Sequence, residues 1–211
     1  GQSEESTRAF NAAEAGIENA LQNITVGSNT MIVDDITVDY SVAGENFIER
    51  IYQENDTATV VLDGADTLTI EWADQNSLVE NPGTCNGASG GAPASLLVTV
   101  ISSVNQVTRY GWNACNVAGN GLTYISTAGD DGYLRKNTLA VGANALVKIR
   151  PIYNQAKIRV TGNNLPVQAY DIDSKAQSPT WESKAIQVSR TVPAAPAIFD
   201  YVLFSGTNIV K

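Results

Sequence analysis

Apolar residues along positions 3–24 recur at spacings of three and four: Phe10, Ala13, Ile17, Ala20, Leu21 and Ile24. That period predicts one amphipathic helix. Glu4 and Glu5 suit its first turn, where carboxylates meet the positive end of the helix dipole. Ser3 is placed to cap the start and Gly27 to stop the end. The stripe mixes alanine with larger residues, so a neighbour can approach closely.

After Gly27 the period changes to two. Ile36 to Val42, Leu68 to Trp72 and Lys157 to Thr161 alternate apolar and polar residues, as half-buried strands do. Further strands are predicted at 47–52, 57–62, 96–102, 107–112, 145–150, 167–172, 185–190 and 201–205. Turn residues punctuate them, as at Asp63-Gly64-Ala65-Asp66 and Gly162-Asn163-Asn164. Residues 81–93 and 116–132 read as glycine-rich surface loops. One helix followed by many strands predicts an α+β fold. An N-terminal helix (1–27) precedes a large antiparallel β-rich head (28–211), with a sheet laid on the helix or a sandwich beyond it.

Composition narrows the chemistry. With 22 acidic and 13 basic residues the net charge is -9, and no basic cluster interrupts the negative field. Phosphate backbones need basic patches, so no nucleic-acid partner is expected. The chain has no histidine, which removes the commonest general base and metal ligand. No apolar run is long enough for a membrane span. Cys85 and Cys115 stand in similar turn-rich surroundings. They are either free thiols or a disulfide worth about 3–4 kcal/mol by loop closure. A bridge implies an oxidising, extracytoplasmic compartment.

The run Ser6-Thr7-Arg8-Ala9-Phe10-Asn11-Ala12-Ala13-Glu14-Ala15-Gly16-Ile17-Glu18-Asn19-Ala20-Leu21 resembles the post-membrane helix of bacterial minor pilins and related type IV pilus assembly proteins. Phe199 to Gly206 is similar to the same group more faintly. The resemblance implies a precursor held in the inner membrane by an upstream apolar helix, then drawn into a filament or its tip. The chain is expected to be the ectodomain lacking that helix, with Gly1 a cloning remnant or a processing point. Its partners would be other pilin-like subunits and its place the cell surface or an extracellular filament. The head would serve subunit packing or adhesion, and Phe10, Ala13, Ile17, Ala20 and Leu21 would form the assembly face of the helix. The alternative is a secreted β-sandwich binding module for a carbohydrate or protein.

Other constellations carry less. Asp130 and Asp131, and Asp34, Asp35 and Asp39, offer carboxylates to Ca²⁺ without EF-hand spacing. No other cofactor is expected. Gly87-Ala88-Ser89-Gly90-Gly91 matches a nucleophile elbow but lacks the flanking strand and helix, and the chain has no histidine base. Glu71 beside Trp72, and Glu182 beside Trp181, are the only pairs suited to sugar chemistry. Trp181 reads as the most exposed tryptophan and a candidate partner contact. Asn23-Ile24-Thr25 and Asn55-Asp56-Thr57 match the glycosylation pattern. The chain is expected to be non-enzymatic.

Overall fold

The computed structural model describes residues 2–80, 92–179 and 182–192. In chain order the elements are α1 (Gln2–Gln22), β1 (Gly27–Val33), β2 (Ile36–Glu45), β3 (Ile48–Tyr52), β4 (Ala58–Val61) and β5 (Asp66–Asp74). They continue with β6 (Ser95–Ile101), β7 (Val107–Asn113), β8 (Thr123–Tyr124), β9 (Tyr133–Val141), β10 (Leu146–Ile152), β11 (Ala156–Thr161), β12 (Ala169–Gln177) and β13 (Ser183–Thr191).

The expected α+β fold, a helix followed by one head, is corrected. Strands hold 51% of the described residues and helix 11%, so the protein is mostly β, with three sheets. Pairing is antiparallel except for the two-residue match of β7 with β8. The chain forms two compact units. The first joins residues 1–46 to 167–192, and the second takes in 47–166, inserted between β2 and β12.

In the first unit the sheet order is β1-β2-β12-β13. Asp34 and Asp35, with φ of 45° and 70°, form the two-residue turn of the β1–β2 hairpin. Aspartate tolerates this left-handed backbone better than most residues, and the turn's twist matches that of the strands. One face of α1 lies on the sheet. Ala12 and Ala13 pack with Ile36, Val38 and Ala176, and Ile17 and Ala20 with Val42 and Ile172. The helix begins at Gln2, ahead of the expected cap, and Ser3 instead gives its carbonyl to Thr7 Oγ1 at 3.0 Å.

Gly16 sets the closeness of that packing. A Cβ there would overlap Ser174 Oγ and stand 2.8 Å from Val38 Cγ1. Ser174 Oγ is buried and has no hydrogen-bond partner. Gly16→Ala should therefore lose about 1 kcal/mol, because overpacking of roughly 1–3 kcal/mol outweighs alanine's helix preference of about 1 kcal/mol. Ser174→Ala should gain about 1 kcal/mol by removing an orphaned hydroxyl. The double variant should recover most of the Gly16→Ala loss. Urea midpoints of the four proteins read this cycle, and strict additivity would refute the contact.

The second unit is a sandwich. One sheet runs β4-β10-β6-β7-β8 and the other β3-β11-β5-β9. Val60, Leu96, Val98, Trp112, Val147 and Ile149 from the first share one core with Leu68, Ile70, Trp72, Ile158 and Val160 from the second. Alternation along each strand places these residues on the inner faces.

Candidate functional site

The helix carrying the pilin-like run spends much of its expected assembly face inside its own unit. Ala13, Ile17 and Ala20 are buried against the sheet, and Leu21 is half-buried. Phe10 alone of the five projects outward, at 46% exposure. The exposed side of α1 carries Thr7, Phe10, Asn11, Glu14 and Glu18. Two contacts lock the helix to the sheet at its rim. Arg8 Nη2 donates to the Asp34 carbonyl at 2.8 Å, and the Tyr40 hydroxyl donates to Asn19 Oδ1 at 2.9 Å. The outward surface of the helix is thus an acidic and amide strip with one aromatic ring.

On the sheet face turned away from the helix lies a groove of about 800 Å³. Its outward side chains include Thr30, Asp39, Ser41, Asp173, Lys175 and Gln187, so it is polar and contains no aromatic side chain suited to stacking on a sugar. Thr30 Oγ1 donates to Asp39 Oδ1 at 2.7 Å. The acidic trio read from the sequence is thereby divided between a hairpin turn and this face.

The second unit concentrates its charges on the outward face of β3-β11-β5-β9. Glu71, 2% exposed, accepts from Asp130 N at 2.7 Å and from Arg159 Nε at 2.7 Å. Arg159 also pairs with Asp131 at 2.8 Å, and its guanidinium lies 4.8 Å from the centre of the Tyr133 ring. Lys157 pairs with Glu49 at 2.9 Å, and Glu49 accepts from the Tyr133 hydroxyl at 3.0 Å. Burial, then the hydrogen bond to Glu49, pushes the Tyr133 hydroxyl far above the usual phenol range. This web pins the loop around Asp130 onto the sheet.

It also consumes the candidates read from the sequence. Asp130 is engaged by Lys136 at 2.8 Å and Asp131 by Arg159, so neither aspartate waits for a cation. Among the described residues no three His, Cys, Asp or Glu side chains converge as a metal site. Glu71 and Trp72 are both buried, on opposite faces of β5, and present no surface to a sugar. Trp181 and the Gly87 to Gly91 motif lie outside the described residues. So does Cys85. Cys115, just past β7, is buried and is not a free thiol. The Cys85–Cys115 bridge stands as a proposal.

Two carboxylates missed by sequence reasoning prove structural. Glu80 accepts from Asp74 N and from Lys157 N, both at 2.8 Å, tying the end of β5 to the start of β11. Burial holds its carboxyl above the usual range despite those bonds. Asp66 accepts from Thr67 N at 2.7 Å, Asn163 N at 3.1 Å and Asn164 N at 3.0 Å. Burial raises its pKa, but the three backbone donors outweigh burial and leave it lowered. A lowered folded pKa stabilises above the unfolded value and is lost as pH falls through the folded value. Acid titration of the wild type should therefore lose stability below about pH 4. Asp66→Asn should be less stable at pH 7 and show a shallower acid limb, read as Tm against pH. An acid limb unchanged by Asp66→Asn would show that Asp66 does not contribute to it.

No helix of the described residues is long and apolar enough to cross a membrane. No protein-family model and no curated protein matches the chain.

Proposed function

We propose that the protein is a non-enzymatic, pilin-like structural or assembly subunit of a cell-surface filament. The observation that carries this reading is the Ala12-Ala13-Glu14-Ala15-Gly16-Ile17-Glu18 segment on an N-terminal helix laid on an antiparallel sheet. Its small residues face inward, and Gly16 lets the sheet approach. The outward strip of Phe10, Asn11, Glu14 and Glu18 is left for neighbouring subunits. The head of such a subunit would serve packing or adhesion. Its route would run through an upstream apolar helix in the inner membrane to the cell surface or an extracellular filament.

Two measurements test it. The encoded residues before Gly1 should form an apolar run of about 20 residues behind a short basic leader. The full-length protein should co-purify with sheared surface filaments, and consistent absence from them would sink the proposal.

The inserted sandwich, which has its own core, favours a second reading: a secreted binding module for a carbohydrate or protein. A cleavable signal peptide in place of the apolar run, together with binding on a glycan array, would favour it. A blank array would leave the carbohydrate version without support.

A further inference from the structure

The outward face of the sandwich sheet β4-β10-β6-β7 is built unlike a solvent-facing one. Val60, Val98, Val147 and Ile149 point into the core, so their neighbours along each strand point away from it. The strand register then sets Val61, Leu146, Ile101 and Val107 side by side in one wholly apolar row across four strands. The next row is Thr59, Lys148, Thr99 and Arg109, and Arg150 lies in the one beyond. In a chain of net charge -9 these three rows carry cations and no carboxylate. Lys148 is 5% exposed although it points away from the core. A lysine on the outside of a sheet is that well covered only when something lies over it.

The sequence offers a matching occupant. The described chain ends at Val192, whose N–H donates to the Gln168 carbonyl at 3.0 Å, while Gln168 N donates to Glu45 at 2.7 Å. It therefore leaves beside both links to the sandwich, at residues 46–47 and 166–167. Residues 193–211 follow, outside the described residues, with an extended reach of about 60 Å. They contain Ile198-Phe199-Asp200-Tyr201-Val202-Leu203-Phe204, an apolar, aromatic run with one carboxylate.

We propose that this run docks in cis on the outward face of β4-β10-β6-β7. Its apolar side chains cover the Val61–Leu146–Ile101–Val107 row, and Asp200 faces the Arg109, Lys148 and Arg150 cations. The sandwich would thereby be closed by the chain that leaves the other unit. The inference does not depend on the filament reading.

Chymotrypsin cuts after Phe199, Tyr201 and Phe204, so release of the C-terminal peptide from the full chain, followed by mass spectrometry, reports docking. Release should be at least about tenfold slower from the wild type than from an Ile101→Asp/Leu146→Asp variant, the factor set by the free energy of local opening. Near-UV circular dichroism checks that the variant's core is intact. A second measurement needs no damage to the face: Phe204→p-benzoylphenylalanine, irradiated in dilute solution. Cross-links within one chain to β6 or β10 are expected. Equal release rates with a folded variant, or cross-links that avoid both strands, would overturn the proposal. Cross-linked dimers that grow with protein concentration would overturn its cis form by placing a second copy's tail on the face.

Discussion

Trp72→Ala should destabilise the sandwich unit by about 4 kcal/mol, within the roughly 3–5 kcal/mol range for emptying a buried tryptophan site. Trp72 is fully buried, and its ring stacks on that of Trp112 with centroids 6.1 Å apart and an interplanar angle of 26°. Its Nε1 donates to the Ala94 carbonyl at 3.0 Å. The substitution opens a cavity between the two sheets and removes the donor from a buried carbonyl, and the two costs fall at one place. Trp72→Phe separates them. It retains much of the volume and loses the hydrogen bond, so about 2 kcal/mol is expected. Urea unfolding followed by the fluorescence of Trp112 measures both. A loss below about 1 kcal/mol for the alanine variant would mean that the ring is not held between the sheets as described.

That tryptophan also shows how far the sequence could be read. Leu68-Thr69-Ile70-Glu71-Trp72 alternates cleanly, and β5 is where the alternation placed it. Core packing was the natural expectation for Trp72 once the strand was recognised. Strands at the rim were harder. β1 begins Gly-Ser-Asn-Thr, exposed through its first four residues, so it has little apolar signal and gains its pairing only from β2. β9 reads Tyr-Leu-Arg-Lys-Asn-Thr-Leu-Ala-Val, and its period is interrupted by Arg135 and Lys136. Arg135 is used locally, donating to the Ala114 carbonyl at 2.7 Å and to the Tyr124 hydroxyl at 3.1 Å. Nothing local announces such a partner.

The division into units was hidden for a related reason. β2 and β12 are neighbours in one sheet, with Glu45 opposite Ala169, although the whole sandwich lies between them in sequence. Hydrophobic period identifies strands but not which strands pair, and an insertion leaves no mark on the period. The small residues of α1 were legible as a close-packing face. That the sheet of its own unit occupies this face, with Gly16 over Ser174, required the structure.

The charge web on the sandwich gives the other large expectation. Arg159→Met should cost about 3–4 kcal/mol, since removing one partner of a buried pair leaves the other uncompensated. Glu71 would keep only the Asp130 N–H, having lost Arg159 Nε at 2.7 Å and Nη2 at 2.6 Å. Methionine retains the aliphatic stem that covers Tyr133, which isolates the effect to the guanidinium. Glu71→Gln in the same chain removes the stranded charge while leaving an acceptor for Asp130 N. The double variant should therefore recover more than half of the loss, as replacement of both partners of a buried pair usually does. Asp131→Asn is the control. The Asp131 side chain is 77% exposed, so its bond to Arg159 is screened by water, and a change within about 0.5 kcal/mol is expected. The loss in Arg159→Met should also persist in 1 M salt, where an exposed pair would be silenced. If Asp131→Asn cost as much as Arg159→Met, the stabilisation would lie in tethering the 130–132 loop and not in the Glu71 charge. The Glu71→Gln rescue would then fail as well, because a neutral acceptor does nothing to restore the tether.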